Sequence, residues 1–175
     1  STHPADVFRV IEQHRPTLLF SVPSVYSALL QHVATDGREV NLSSVRACVS
    51  AGERLPETIF RRFKDQFGLE ILDGIGSTEA THIFISNRPG AVRPGSTGQL
   101  VPGVEARLVD EEDHLVPDGE IGNLWIKSDA ICERYWNRHE LTKRTIRGEW
   151  ISTGDKYWRD KDGFFWYAGR GDDML

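Results

Sequence analysis

At 175 residues, with 39% hydrophobic and 27% charged side chains, the chain can bury one ordinary core or two small ones, and its composition excludes a disordered tract. A formal charge of −5, with basic residues scattered as Arg61-Arg62, Lys143-Arg144 and Arg170, provides no basic stripe and excludes nucleic acid as an expected partner. Only two cysteines, no cationic-apolar leader and no apolar stretch approaching about 18 residues point to a reduced cytoplasmic protein that does not span a membrane.

In chain order, Val7, Val10, Ile11 and His14 recur at helical spacing after Pro4, which suits a first turn, and Pro16 ends the run. Thr17–Val22 is short, apolar and partly β-branched, which predicts a buried strand. Pro23-Ser24 then opens a second helix with Val25, Leu29, Leu30 and Val33 on its apolar side. A turn at Asn41–Ser44 leads to a strand over Val45–Ser50, whose Cys48 suits a buried position. Pro56–Phe67 predicts a third helix with Ile59, Phe60, Phe63 and Phe67 inward, and Gly68 takes the left-handed position that ends it. Glu70–Asp73 is the next strand. Strands alternating with helices argue an α/β layer whose strands are at least partly parallel.

The second half changes character. Glycine and proline punctuate it at Pro94-Gly95, Gly98, Pro102-Gly103, Pro117-Asp118-Gly119 and Asp162-Gly163, with alternating segments such as Val104–Val109 and Asn123–Lys127 between them. Asp113–Gly119 predicts a hairpin connection, Asp160–Gly163 a tight turn, Phe164–Tyr167 a further strand and Glu140–Thr145 one helical turn. The expected fold class is therefore α/β: a partial α/β layered subdomain over 1–95, then a small distorted β-barrel subdomain over 96–170. The five tryptophans are expected in the core and rim of the β half.

Four polar segments could carry chemistry. Gly74-Ile75-Gly76-Ser77-Thr78-Glu79 follows a strand, with glycines that admit close backbone approach, hydroxyls suited to phosphate and a carboxylate suited to a cation. Ser50-Ala51-Gly52-Glu53 turns from a strand towards a helix start, where free backbone groups favour polar ligands. Ser152-Thr153-Gly154-Asp155 places a carboxylate, able to accept from both hydroxyls of a vicinal diol, just after a β-like run. Gly169-Arg170-Gly171-Asp172-Asp173 offers a forked cation and a flexible joint. Taken alone, the Gly74–Glu79 and Ser50–Glu53 segments read first as ordinary turns, and the Thr-Gly-Asp segment reads as a turn about as readily as a ligand site. Gly169–Asp173 would read as a polar tail at a true terminus. The six histidines form no i,i+4 pair and no cluster with cysteine, so no zinc site is expected.

Taken together and in order, these segments resemble the adenylate-forming superfamily, which includes acyl- and aryl-CoA synthetases, luciferases and the adenylation domains of peptide synthetases. Ile75-Gly76-Ser77-Thr78-Glu79 is similar to its aromatic-Gly-x-Thr-Glu motif, and Leu124-Trp125-Ile126 with Tyr135-Trp136-Asn137-Arg138 to its Gly-Glu-Leu and Tyr-Trp-Asn segments. Ser152–Asp155 is similar to its Thr-Gly-Asp motif and Gly169–Asp173 to its hinge motif. Asp73–Asn87 and Arg93–Gly98 resemble benzoate-CoA ligases most.

The resemblance implies an internal fragment of an ATP-dependent aryl-CoA ligase, a cytoplasmic acid-thiol ligase using ATP, Mg²⁺ and coenzyme A on a small aromatic carboxylic acid. Fatty-acyl-CoA ligases, amino-acid adenylation domains and a noncatalytic nucleotide-binding module on the same scaffold are the alternatives. By position it implies that Thr78 contacts a phosphate and Glu79 holds Mg²⁺, both catalytic. Asp155 would hold the ribose hydroxyls with Arg170 assisting. Ala51, Gly52 and Glu53 would border the adenine and acyl pockets, Gly76, His82 and Ile83 would line the acyl pocket, and Ile75 would lie on adenine in place of the usual aromatic ring. Asp172 would be the pivot of a hinge, 171–175, to a C-terminal lid. The family's upstream phosphate loop and its lysine-bearing lid are not found in this sequence, so the fragment alone is expected to be inactive.

Overall fold

A computed structural model describes residues 3–37 and 40–171. The chain forms two compact units, Ser1–Gly74 with Asn87–Gly95, and Ile75–Ser86 with Ser96–Leu175. The chain thus passes between the units three times, at 74/75, 86/87 and 95/96, with Ile75–Ser86 grouping with the β-rich unit.

In the first unit, three helices alternate with three strands: α1 (Pro4–His14), β1 (Leu18–Ser21), α2 (Pro23–Asp36), β2 (Ala47–Ser50), α3 (Glu57–Phe67) and β3 (Ile71–Gly76), the last two residues of β3 entering the second unit. β2 pairs in parallel with both β1 and β3, in a register that aligns Ser21 with Ser50 and Ser50 with Asp73. Prolines open α1 and α2 in their first turns, and Gly37 and Gly68 end α2 and α3 at φ of 64° and 68°.

The core is built from Phe8, Ile11, Tyr26, Leu29, Cys48, Phe60, Phe63 and Ile71, among others. Phe63 stands edge-on to Tyr26 at 5.2 Å between ring centroids. Tyr26 is fully buried, and its hydroxyl reaches the carbonyls of Leu19 at 2.9 Å and Val49 at 2.8 Å, tying α2 to two strands.

Two expectations are corrected here. The inward face of α1 carries Phe8 and Ile11, while Val10 is exposed. β1 is not buried on both faces: Leu19 packs on the helical core, but Leu18 and Phe20 are 40% and 55% exposed, because period-two alternation sends them to the opposite side.

The second unit is a curled antiparallel sheet in the order β10–β9–β7–β6, formed by β6 (Glu105–Val109), β7 (Gly122–Lys127), β9 (Trp150–Arg159) and β10 (Phe165–Arg170). The short β8 (Ile146–Arg147), entered from α4 (His139–Thr145), pairs with β9. A second pair, β4 (Ile83–Ser86) with β5 (Gln99–Leu100), has no counterpart in the sequence reading. Gly98 bridges to Phe165, with Thr97 donating to the Phe165 carbonyl at 2.9 Å, so the chain leading into β5 extends the sheet beyond β10. Phe84, Ile85, Leu124, Ile126, Ile151, Tyr157 and Phe165 fill the inside of the curl. The predicted β6–β7 hairpin is present, as is the tight turn after β9, where Asp160 Oδ1 accepts from the backbone N–H groups of Asp162 and Phe164.

Candidate active site

β3 does not stop at Asp73 as its hydropathy suggests, but continues through Gly74-Ile75-Gly76. The reason for glycine at the end is steric. A Cβ on Gly76 would lie 2.4 Å from the His82 carbonyl oxygen and 2.8 Å from Ile83 Cα, both backbone atoms. Ser77 N–H donates to that same carbonyl at 3.3 Å, and Thr78–Ala80 form a single 3-10 turn inside the loop it closes. Thr81 takes a φ of 69°, a costly conformation for a β-branched residue. Its hydroxyl donates to the Ala130 carbonyl at 3.0 Å, which helps hold the turn. Gly76, Thr78, Glu79, His82 and Ile83 therefore share one tight loop, with Thr78 and His82 exposed and Glu79 and Ile83 half-buried. Ile75 packs against the core of the second unit.

A second segment, 128–135, grips this loop. The Cys132 N–H donates to the Glu79 carbonyl at 2.7 Å, and the Tyr135 hydroxyl donates to Glu79 Oε1 at 2.9 Å. The Glu79 carboxyl is held below its usual range by its own backbone N–H, with Tyr135 and Ser77 adding to the effect against partial burial. Partial burial, reinforced by the Glu79 charge, pushes the Tyr135 phenol up to about 12. The resemblance marks Tyr135 only as part of a Tyr-Trp-Asn segment, and its contact with Glu79 was not expected from the sequence. The tyrosine lies 56 positions from Glu79, and no spacing rule connects the two.

The Thr-Gly-Asp segment is not a turn after a strand but a bulge within one. Asn123 pairs with Lys156 and Trp125 with Ser152, so two steps along β7 face four along β9 and Thr153-Gly154-Asp155 forms the bulge. Gly154 accommodates this with a φ of 77°. The Thr153 hydroxyl donates to the Leu124 carbonyl at 3.1 Å and accepts the Asp155 N–H at 3.2 Å. On the other side of β9, a further register shift lies between Tyr167 and Gly169, beyond which Arg170 stands opposite Asp155. Arg170 Nη1 approaches Asp155 Oδ1 to 3.6 Å. Asp155 is buried, which raises its pKa, while Arg170 and Thr153 pull the other way. An exposed guanidinium thus faces a desolvated carboxylate on one strand pair, an arrangement suited to a polyhydroxyl ligand carrying negative charge.

In the first unit, Ala51, Gly52 and Glu53 follow β2, with Gly52 at a φ of 89° and Ala51 N–H reaching the Ser21 carbonyl at 3.4 Å. Beneath them lies a polar pair that the sequence did not reveal. Ser50 and Asp73, aligned across β2 and β3, are both buried, and Ser50 Oγ and Asp73 Oδ1 have no hydrogen-bond partner. Burial raises the Asp73 pKa to about 7 despite the backbone N–H groups of Leu55 and Gly74. The Asp73 carbonyl accepts the Asn87 N–H at 2.9 Å. Asp172, the expected pivot, lies outside the described residues. The described groups able to gather three metal-ligating atoms are Asp110, Glu112 and His114, on the exposed hairpin loop between β6 and β7.

The fold built from these two units is that of the adenylate-forming ligases. An anthranilate CoA ligase solved with anthranoyl-AMP superposes with a TM-score of 0.94 at 46% identity, over 99% of this chain and 33% of that one. A benzoate CoA ligase from Burkholderia xenovorans LB400 superposes with a TM-score of 0.88 at 48% identity, over 98% of this chain and 35% of that one.

The chain belongs to the AMP-binding enzyme family, whose model matches residues 1–136. Its curated relatives include the benzoate–CoA ligase of Thauera aromatica, 44% identical over 173 residues, or 98% of this chain and 32% of the relative. The chain spans about a third of the length of the curated relatives it matches.

Proposed function

We propose that this chain is the central part of an ATP-dependent aryl-CoA ligase, a cytoplasmic enzyme that activates benzoate or a related aromatic acid as acyl-adenylate and transfers it to coenzyme A. The observation carrying the nucleotide reading is the pairing of Asp155 with Arg170 across the β9–β10 register, which joins two motifs separated in sequence. Support for an aromatic acid comes from the relatives, whose names specify benzoate and anthranilate.

In this reading the Asp155 carboxylate accepts hydrogen bonds from the two ribose hydroxyls, and Arg170 steadies the same sugar. Thr78, exposed at the tip of its turn, donates to a phosphate oxygen. Ala51, Gly52, Glu53 and Ile75 contact the adenosine, and Gly76, His82 and Ile83 contact the acid. The oxygen donors at Glu79 suit Mg²⁺, which binds through one or two carboxylates together with substrate phosphates. When bound there, the ion neutralises charge developing on the phosphates. Glu79 supplies the ionised ligand, and the loop closed by Ser77 and His82 holds it in place. The residues of this chain act mainly by orientation and by fixed dipoles.

The test is made on the intact protein with benzoate, anthranilate, a medium-chain fatty acid and an amino acid, following acid-dependent ATP–pyrophosphate exchange. Aromatic acids should support the fastest exchange. Asp155→Ala should raise the KM for ATP by about 10- to 100-fold, the cost of losing hydrogen bonds to a charged group. Preference for a fatty or amino acid would overturn the substrate class, and an unchanged KM in Asp155→Ala would overturn the ribose assignment.

A further inference from the structure

We propose that Tyr135 is the positioning residue for the Glu79 carboxylate, its hydroxyl fixing Oε1 so that the carboxylate is presented to a divalent cation in a single orientation. This rests on the reading of Glu79 as the metal ligand and deepens it by naming what aims that ligand. Glutamate carries three side-chain torsions, and a carboxylate free to rotate loses ordering entropy each time it binds a cation. Groups hydrogen-bonded behind a metal ligand remove that loss.

The geometry meets this requirement from a separate part of the chain. Tyr135 donates to Glu79 Oε1 at 2.9 Å, and its own backbone N–H donates to Thr142 Oγ1 at 3.0 Å. Thr142 in turn donates to the Arg138 carbonyl at 2.9 Å, which anchors the tyrosine to α4. The Cys132 N–H holds the Glu79 carbonyl at 2.7 Å and Ala130 accepts the Thr81 hydroxyl at 3.0 Å. The 128–135 segment therefore grips the Thr78–Thr81 turn through both backbone and side chain, and Tyr135 is the contact that reaches the carboxylate.

The experiment uses the intact protein, a non-hydrolysable ATP analogue and Mn²⁺ as the probe, with free Mn²⁺ read by electron paramagnetic resonance. Tyr135→Phe should weaken Mn²⁺ binding about tenfold, the low end for partners behind a metal ligand. It should raise the KM for Mg²⁺ in parallel while kcat at saturating Mg²⁺ stays within about a factor of two. Thr142→Ala, which loosens the backbone anchor and leaves the phenol in place, should give a smaller loss in the same direction. In a Glu79→Gln background, Tyr135→Phe should have no further effect.

Unchanged Mn²⁺ affinity in both Tyr135→Phe and Thr142→Ala, with binding abolished in Glu79→Gln, overturns the positioning role and leaves Glu79 as the ligand. Unchanged affinity in Glu79→Gln overturns the ligand assignment and the positioning role together.

Discussion

Asp73 is a buried carboxyl with one oxygen unpartnered, and its titration should be visible in the stability of the first unit. Its pKa rises from 3.8 to about 7 on folding, so between those values the folded chain binds more protons than the unfolded one. Its contribution is therefore harmless below pH 3.8 and becomes a penalty as pH climbs, reaching its full size above about 7. That displacement is worth on the order of 4 kcal/mol at most. Asp73→Asn should flatten this descent, measured as urea midpoints against pH on the helical signal that α1, α2 and α3 dominate. A slope between pH 4 and 7 unaltered by the substitution would contradict the assignment. Such a group, buried and half-satisfied beside Ser50, is costly to keep, which is common where a ligand is bound.

At the scale of elements, the loop from Gly76 to His82 is built on the absence of one methyl group. Gly76→Ala would drive a Cβ into the His82 carbonyl, and neither backbone atom can retreat cheaply. The substitution should cost about 1–3 kcal/mol, as overpacking does. It should also lower acid-dependent exchange in the intact protein, because Thr78 and Glu79 ride on the same loop. A thermal midpoint and exchange rate equal to wild type would refute this. Periodicity made α1, α2 and α3 legible, including Gly68 at the end of α3, because apolar spacing and punctuation act locally. It failed for Tyr26, whose polar tip hides a fully buried ring, and for the two faces of β1, because a short apolar run does not say how many sides are covered. Composition placed Asp155 after a strand, whereas the bulge that positions it depends on pairing with β7, which no local window contains. Tyr135 was legible as part of a motif, but its contact was not, for the same reason: the carboxylate it meets is distant in sequence.

For the molecule as a whole, motif order carried more information than any one motif, and it led to the family that residues 1–136 match. The 175 residues correspond to about a third of the relatives' length, and activation of a carboxylate requires several charged donors around one phosphate at once. The chain expressed alone is accordingly predicted to release no benzoate-dependent pyrophosphate above a blank. Release at the rate of the intact protein would refute that.

All five tryptophans, Trp125, Trp136, Trp150, Trp158 and Trp166, fall in the β-rich unit, and the α/β unit has none. Trp158 and Trp166 lie face to face, 5.3 Å between centroids and 8° from parallel. Indole emission and the exciton-coupled circular dichroism of that pair thus report on one unit alone, a built-in fluorophore set that allows the melting of the two halves to be followed on separate optical channels without any label.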